Sequence, residues 1–256
     1  MLPVALLSGG LAVRMRPDTI NLPKAMLPAA GKPFIGHQLN LLRDKGASRL
    51  MLCLGYLGEM IEQYVGDGSR FGLSVSYSYD GEKLLGTGGA LKKAARGIDG
   101  PFFVLYGDSY LDVDYAKIEE AFRRSGAAYK GLMTVYRNEG RWDSSNVVFE
   151  GGGIVRYSKK DRRGDMKYID YGLGILSARA LDEFGRGCSQ IEQDCSNGSP
   201  AFDLADVYEK LAEQRLLLGY EVFERFYEIG STEGLKEFEQ MMRLRLAVRN
   251  DGGGAM

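Results

Sequence analysis

Several residue types are scarce in this 256-residue chain, and each scarcity excludes a class of protein. The chain holds three cysteines, one histidine, one tryptophan and seven prolines. Cys53, Cys188 and Cys195 form no Cys-x-x-Cys pair and have no histidine cluster beside them, which argues against a disulfide scaffold or a zinc site. No apolar run approaches the ~18 residues of a transmembrane helix, so we expect no membrane span.

The chain also lacks an excess of charge of either sign. The 33 Lys and Arg residues nearly balance the 34 Asp and Glu residues, which leaves a formal net charge of −1. We therefore expect no nucleic-acid partner, and any binding of phosphate must come from local geometry. The first residues, Met1-Leu2-Pro3-Val4, place no basic segment before the short apolar stretch, so we predict no signal peptide and a cytoplasmic location.

Glycine, by contrast, is abundant. Its 35 copies are about twice the usual ~7% share. No Gly-X-Y period is present and 45% of the residues are hydrophobic, which excludes a collagen-like chain or a glycine-rich linker. The glycines are therefore expected inside a folded domain, at turns and where the backbone approaches something closely.

The first half of the chain alternates short apolar segments with amphipathic ones. Predicted strands are residues 3–7, 49–54, 74–79 and 102–106, and predicted helices are residues 34–45, 58–65 and 88–95. This rhythm predicts an α/β fold, in which helices cover both faces of a parallel sheet.

The second half carries strands at tighter spacing. They are predicted at residues 132–136, 147–149, 154–157 and 171–176, with helices at 203–214 and from 232 to about 248. Such spacing indicates antiparallel pairing, and hence an added mixed-sheet region. We predict one domain over residues 1–249, divided into residues 1–110 and residues 111–249 with a C-terminal helix, and a flexible tail (250–256).

Two neighbouring segments carry the densest chemical pattern. After the first strand, Leu7-Ser8-Gly9-Gly10 places several backbone N–H groups around one concavity, which can bind phosphate without net positive charge, and Arg14 follows to neutralise it. Ten residues further on, Lys24 lies between Pro23 and Pro28, on a stiffened segment suited to a cation that stabilises a charged transition state.

Together these segments resemble the nucleotidylyltransferases that activate sugar 1-phosphates. The family pattern is G-G-x-G-T-R-L followed by P-K-P-M-[LV]-P. Three later segments extend the resemblance over residues 3 to about 240. They are Leu85-Gly86-Thr87-Gly88-Gly89-Ala90, Tyr106-Gly107-Asp108-Ser109 and Phe226-Tyr227-Glu228-Ile229-Gly230-Ser231.

The resemblance implies a Rossmann-like, three-layer mixed sheet of the nucleotide-diphospho-sugar transferase fold. It further implies that residues 1–110 are the nucleotide-binding half and residues 111–249 the sugar-binding half. It also implies a reaction in which an NTP and a sugar 1-phosphate give an NDP-sugar and pyrophosphate, with Mg²⁺ as cofactor. Such a transfer chiefly requires positioning and charge neutralisation, so the lack of a Ser/His/Asp set is no objection.

The resemblance also assigns roles to residues. Arg14 and Lys24 are the catalytic cations, and Asp108 and Glu228 are the metal ligands, although the family often has Asp at the latter position. The nucleotide-binding residues are Leu7, Ser8, Gly9, Gly10, Arg14, Gly86, Thr87 and Gly88. The residues expected at the sugar phosphate are Lys24, Gly89, Lys160, Tyr171 and Gly172.

The chain departs from the family pattern at three places. Ala12-Val13 replaces the Gly-Thr before Arg14, and an alanine there is strained if the position needs a positive φ. Ala25 replaces the second proline of the lysine segment, and Lys159 replaces the glutamate that precedes the family's sugar-phosphate lysine.

Two other functions remain open. Asp112-Val113-Asp114 matches the D-x-D string of related glycosyltransferases, although that function leaves Arg14 and Lys24 without a role. The Ala12-Val13 change is compatible with a sensor or regulatory subunit that binds nucleotide-sugar without turnover. The sequence does not identify the base, the sugar or a possible homo-oligomer. Its layout resembles that of single-domain enzymes acting on manno-heptose, N-acetylmuramic acid or glucose 1-phosphates, and among these it leans towards the heptose 1-phosphate guanylyltransferases.

Overall fold

The protein, described here by a computed structural model over residues 1–138, 140–142, 144–185 and 201–251, is built on one large sheet. Its strands are β1 (Val4–Leu7), β2 (Pro28–Ala29), β3 (Lys32–Pro33), β4 (Arg49–Leu54), β5 (Ser74–Tyr79), β6 (Pro101–Tyr106), β7 (Ser109–Tyr110), β8 (Gly131–Arg137), β9 (Val147–Glu150), β10 (Gly153–Tyr157), β11 (Tyr168–Ser177), β12 (Leu217–Val222) and β13 (Tyr227–Glu228). Its α-helices are α1 (Phe34–Asp44), α2 (Gly58–Val65), α3 (Gly86–Ala94), α4 (Tyr115–Arg124), α5 (Ala178–Phe184), α6 (Leu204–Glu213) and α7 (Thr232–Asp251). Cys188, Cys195 and the last five residues of the predicted tail lie outside these ranges.

The large sheet has nine strands in the order β5-β4-β1-β6-β11-β8-β12-β10-β9. The four strands from β5 to β6 are parallel, and β11 then runs antiparallel to both β6 and β8. Strand β12 is parallel to β8, and β10 and β9 complete the edge in antiparallel pairs. The predicted mixed α/β sheet is therefore confirmed.

Helices cover both faces of the sheet and make three layers. Strand β1 shows why, because Val4 and Leu6 pack into one core while Ala5 and Leu7 pack into the other. Side chains alternate along a strand, so a strand buried on both faces reads as one unbroken apolar run. Helices α1, α2 and α4 contribute to the first core, and α3, α5 and α6 contribute to the second.

Seven of these elements lie outside the sequence prediction, namely α4, α5, β12 and the two-residue strands β2, β3, β7 and β13. Helix α4 follows Asp114, whose carboxylate accepts the N–H of Lys117 at 3.1 Å and caps the helix. Helix α5 begins in the same way, because the Ser177 hydroxyl accepts the N–H of Ala180.

Two small sheets lie beside the large one, and one of them matters for function. Strands β7 and β13 pair antiparallel, with Tyr227 opposite Tyr110 and Glu228 opposite Ser109. The turn at Asp108 is thereby joined to the distant segment that carries Glu228. In the described part of the chain, none of the helices combines the length and the apolar character that crossing a membrane requires.

Candidate active site

A cleft of about 240 Å³ opens where the parallel strands end. It lies beyond the carboxyl ends of β1, β4, β5 and β6, the edge at which open α/β sheets bind ligands. Its lining includes Leu7, Ser8, Gly9, Gly10, Ala12, Lys24, Cys53, Asp80, Leu84, Gly86, Thr87, Tyr106, Gly107 and Asp108. The structure thus brings most of the predicted nucleotide-binding residues to one place.

The wall formed by Ser8 contains a polar atom without a partner. Ser8 Oγ is buried and makes no hydrogen bond within the described part of the chain. A side chain at Gly107 would begin 2.1 Å from this oxygen, so only glycine lets the end of β6 approach the loop after β1. A buried hydroxyl without a partner is costly, which is typical of a group that meets a ligand.

The loop after Gly10 holds an alanine in a left-handed conformation. Ala12 has φ 47° and ψ 42°, a region that costs a residue with a Cβ about 1–2 kcal/mol. Its carbonyl oxygen accepts hydrogen bonds from the Thr19 hydroxyl at 2.9 Å and from the N–H of Met15 at 3.0 Å, which hold the turn in place. The strain expected from the replacement of the family's glycine is therefore present.

Arg14 lies at the mouth of the cleft rather than inside it. Together with Ala12, Val13, Lys24 and Gly230 it lines an adjoining cavity of about 290 Å³. The exposed guanidinium therefore shares a cavity with Lys24, and an anion between the two cations would be neutralised from both sides.

Lys24 reaches into the cleft and pairs with Asp108. Its Nζ lies 2.5 Å from Asp108 Oδ2, and both side chains keep about a quarter or less of their surface exposed. The backbone of the lysine segment is a single 3₁₀ turn in which Met26 N–H donates to the Pro23 carbonyl at 2.8 Å. The ammonium is therefore presented from a stiff support, as the flanking prolines predict.

Asp108 and Glu228 converge although they are far apart in the sequence. The N–H of Ile229 donates to the Asp108 carbonyl at 2.9 Å, and Ser109 Oγ lies 3.4 Å from Glu228 Oε1. Burial and the negative charge of Asp108 together raise the pKa of Glu228 to about 7, although Lys24 opposes the shift. Two carboxylates held this way favour a cation between them.

A buried glutamine supports the turn that carries Asp108. Gln38 Nε2 donates to the carbonyl oxygens of Tyr106 at 3.0 Å and Ser109 at 2.6 Å. The side chain comes from α1 and is 1% exposed. A polar residue on the inner face of an otherwise apolar helix is the sequence signal for this role.

The turn at residues 85–89 is held by a distant segment. The N–H groups of Gly88 and Gly89 donate to the Phe202 carbonyl at 2.9 and 3.3 Å, and Phe202 N–H donates back to Leu85. A side chain at Gly88 would begin 2.2 Å from the Phe202 ring. Phe202 therefore requires this glycine, while Thr87 and Gly86 remain on the cleft wall.

The predicted sugar-phosphate residues occupy different environments. Lys160 is 78% exposed along its side chain and lies 3.9 Å from Asp206. Tyr171 is 1% exposed and packs in the core against Tyr136, with ring centroids 6.3 Å apart. Gly172 is buried, and a side chain there would begin 3.7 Å from both Ser109 Oγ and the Tyr106 ring.

The D-x-D string lies away from the cleft and has other partners. Asp112 accepts hydrogen bonds from Lys45 and Arg245, each at 2.6 Å, and these cations lower the pKa of its carboxyl against the opposing effect of burial. Asp114 caps α4. Neither carboxylate lines the cleft, so the structure does not support the glycosyltransferase alternative.

Two cleft residues were not singled out from the sequence. Asp80, at the end of β5, accepts the N–H of Leu85 at 3.1 Å, and burial raises the pKa of its carboxyl. Tyr106 ends β6, and its buried hydroxyl makes no hydrogen bond among the described residues. Its position at the end of a predicted strand, two residues before Asp108, is the signal by which the sequence could have marked it.

The fold and the cleft define a nucleotide-binding α/β protein, with a glycine loop, two cations and a carboxylate pair at the strand ends. Comparison with known sequences is more specific. The model of the nucleotidyl transferase family matches residues 4–155, more than half of the chain, and the chain belongs to that family. The predicted resemblance to this family is therefore confirmed.

Curated relatives carry related names. UTP–glucose-1-phosphate uridylyltransferase of Synechocystis sp. is 37% identical over 48% of this chain and 34% of its own length. Mannose-1-phosphate guanylyltransferase of Mycobacterium tuberculosis is 30% identical over 71% of this chain and 50% of its own length. The chain thus spans half or less of the length of these two relatives.

Solved structures share the fold. HddC of Yersinia pseudotuberculosis, in complex with GMP-PN, superposes with a TM-score of 0.74 at 24% identity, covering 94% of this chain and all of that chain. A UDP-glucose pyrophosphorylase in complex with UDP-glucose superposes with a TM-score of 0.75 at 16% identity, covering 96% of this chain and 99% of that one. These likenesses establish the nucleotide-diphospho-sugar transferase fold.

Proposed function

We propose that the protein is a sugar-1-phosphate nucleotidylyltransferase, which converts an NTP and a sugar 1-phosphate into an NDP-sugar and pyrophosphate. The observation that carries this proposal is the convergence of Lys24, Asp108 and Glu228, the first two of which line the same cleft as the glycine loop. These residues come from three distant parts of the chain. A purely structural role explains neither the carboxylate pair nor the unpartnered Ser8 hydroxyl.

In the proposed reaction, a phosphate oxygen of the sugar 1-phosphate attacks the α-phosphorus of the NTP. A new P–O bond forms as the bond between the α-phosphorus and the bridging oxygen to the β-phosphate breaks, and the electron pair leaves with pyrophosphate. Ser8, Gly9 and Gly10 hold the nucleotide, and Arg14 neutralises its outer phosphates from the adjoining cavity. Lys24 contacts the α-phosphate and the incoming sugar phosphate, where negative charge accumulates.

The carboxylate pair fits Mg²⁺. Asp108 and Glu228 offer hard oxygen ligands, and the pKa of Glu228 is raised first by burial and then by the neighbouring negative charge of Asp108. The described residues form no cluster of three or more His, Cys, Asp or Glu side chains. Phosphate and water oxygens would therefore complete the coordination, as is usual for Mg²⁺. When bound, the ion would neutralise negative charge on the phosphates.

We further propose that residues 1–110 serve the nucleotide and residues 111–249 the sugar. Among substrates, the layout of the chain leans towards a guanine nucleotide and a heptose 1-phosphate. Relatives named for uridylyl and guanylyl transfer both match this chain, so the base must be determined directly.

The test is a matrix of the four ribonucleoside triphosphates and dTTP against glucose, mannose, N-acetylmuramic acid and heptose 1-phosphates, with Mg²⁺. Release of pyrophosphate in one cell of the matrix, abolished by EDTA and restored by Mg²⁺, is the expected result. Binding of an NDP-sugar with a silent matrix would instead favour the sensor function, for which the strained Ala12 is the motivating observation.

A further inference from the structure

A second cavity, of about 590 Å³, opens between α1, α7 and the hairpin of β2 and β3, and the mechanism above does not use it. Among the described residues it shares no lining residue with the cleft or with the adjoining cavity that holds Arg14. Its volume lies within the ~300–1,000 Å³ that sites for small molecules occupy. The cavity is therefore a candidate site for a ligand other than the two substrates.

The lining of this cavity carries more positive than negative charge. Its cations are Lys32, Arg43, Lys45 and Arg245, and its carboxylates are Asp44 and Asp112. Asp112 is shared between Lys45 and Arg245, each of which lies 2.6 Å away. Asp44 pairs with Arg43 at 2.7 Å. Four cations against two carboxylates leave two positive charges in excess.

Lys32 is the cation that most lacks a counter-charge. It forms no ion pair within the described part of the chain, and burial together with the charge of Arg43 lowers the pKa of its ammonium, although Asp44 opposes the shift. Glu239 lies beside the same hairpin but is already paired with Arg243 at 2.8 Å. An anion that entered the cavity would relieve the repulsion between these cations.

The remaining lining suits an organic group that carries hydroxyls. Leu41, Met242 and Leu246 contribute apolar side chains. His37 also lines the cavity, and its Nε2 donates to the Ala29 carbonyl at 2.8 Å. Burial lowers the pKa of this histidine, so the ring is neutral and Nδ1 is an acceptor. Nδ1 has no partner among the described residues, and a ligand hydroxyl could supply one.

The cavity borders the apolar cluster that supports the catalytic residues. Leu41 and Tyr110 belong to this cluster and also line the cavity, and Phe238 of α7 packs against Tyr110 with ring centroids 5.1 Å apart. Within three residues of each charged group of the active site the chain enters the cluster, at Met15 after Arg14, Leu27 after Lys24, Tyr110 after Asp108 and Ile229 after Glu228. An occupant of the cavity would therefore contact the support of the active site.

We propose that this cavity is an effector site, which binds a phosphate monoester of a small hydroxylated molecule. A monoester dianion matches the two excess positive charges, with Lys32 and Arg43 as its main partners. The inference goes beyond the proposed function, because this ligand would touch no residue of the cleft. By neutralising cations on α1, α7 and the hairpin, the ligand would hold these elements together and fix the catalytic residues more firmly, which raises the rate.

Binding is tested by calorimetry with glucose 6-phosphate and with inorganic phosphate. The background is the variant Arg14→Ala, Lys24→Ala, in which the cleft has lost its own phosphate-binding cations. Adding Lys32→Gln or Arg43→Gln should weaken binding about 10-fold, the effect of losing one hydrogen bond to a charged group. Lys236→Gln is the matched control, because this exposed lysine lies on α7 but does not line the cavity, and it should bind as the background does.

The two probes distinguish the sources of the anion. Tighter binding of glucose 6-phosphate than of inorganic phosphate is expected, because the ester also contacts the apolar and histidine lining. Equal affinity would assign the site to free phosphate and overturn the monoester. Affinities that neither Lys32→Gln nor Arg43→Gln lowers would place the anion elsewhere and overturn the site. Thermal unfolding without ligand shows whether each variant keeps the fold.

The effector role is tested separately in the otherwise unaltered enzyme, with saturating NTP and sugar 1-phosphate and limiting Mg²⁺. Glucose 6-phosphate should raise pyrophosphate release about fivefold, the lower end of typical coupling between sites. Lys32→Gln should keep the basal rate and lose this response. A rate that the bound ligand leaves unchanged would overturn the effector role. An enzyme that releases no pyrophosphate would overturn the proposed function, whereas calorimetry would still decide whether the cavity binds the ester.

Discussion

Lys24 Nζ lies 2.5 Å from Asp108 Oδ2, so the cation on the proline-flanked loop is already paired with the carboxylate at the end of β6. Phosphate and metal would divide this pair when substrates bind, the cation going to phosphate and the carboxylate to Mg²⁺. Because these opposite charges are already held beside each other, the reaction needs no large rearrangement of solvent.

Substitution Lys24→Ala should lower kcat by about 100- to 1,000-fold, because it removes a preorganised cation from the site of accumulating charge. Pyrophosphate release under saturating substrates measures the effect. Lys117→Ala, whose exposed ammonium lies 3.4 Å from Asp114, should keep the wild-type rate. A fully active Lys24→Ala enzyme would remove this lysine from the mechanism.

Substitution Ala12→Gly should raise the free energy of unfolding by about 1 kcal/mol, because φ 47° is strained for alanine and not for glycine. Denaturant unfolding measures this change. Ala121→Gly in α4 should lower it by about 1 kcal/mol, since glycine in a helix interior adds conformational entropy to the unfolded chain. If both substitutions destabilise equally, the left-handed turn is not strained.

Substitution Gln38→Leu should destabilise the protein by about 2 kcal/mol, because two buried carbonyl oxygens lose their donor. The turn carrying Asp108 should also loosen, so the concentration of Mg²⁺ needed for half-maximal activity should rise. Gln63→Leu, on the exposed side of α2, should change stability by no more than about 0.5 kcal/mol. Identical Mg²⁺ titrations for wild type and Gln38→Leu would show that this glutamine has no influence on the site.

Substitution Gly88→Ala should destabilise the protein by about 2 kcal/mol, because the new methyl would overlap the Phe202 ring. Gly164→Ala, where a side chain would meet nothing within 4 Å, should be neutral. The double variant Gly88→Ala, Phe202→Ala should be less destabilised than the sum of the two single variants, because alanine at position 202 leaves room for the new methyl. If the effects of the two substitutions on thermal unfolding are strictly additive, the proposed steric role of Phe202 is contradicted.

Much of the fold could be read from the sequence. The strands at residues 49–54 and 74–79 and the helix at 58–65 were predicted at the bounds that the structure shows, since each is a short periodic segment bounded by turn residues. Helices α4 and α5 were missed. Each is short and begins at a capping side chain, and Asp114 in particular reads equally well as part of a D-x-D string.

The residues of the site also divide into those that the sequence marks and those that it does not. Local pattern was enough to mark Ser8, Gly9, Gly10 and Lys24, because each follows a strand or lies on a stiff loop where backbone geometry is set by near neighbours. Asp108 was assigned from the resemblance to the family. The strain at Ala12 was also foreseeable, since an alanine stood where a glycine was expected.

Only the tertiary structure decided which distant groups meet. Phe202 against Gly88 and Gln38 beneath the Asp108 turn are pairs that no periodicity marks. The sequence by itself determined the kind of element and the kind of loop, because propensity and capping act over a few residues. The order of the strands determined the neighbours, because pairing in the sheet brings together residues that are far apart along the chain.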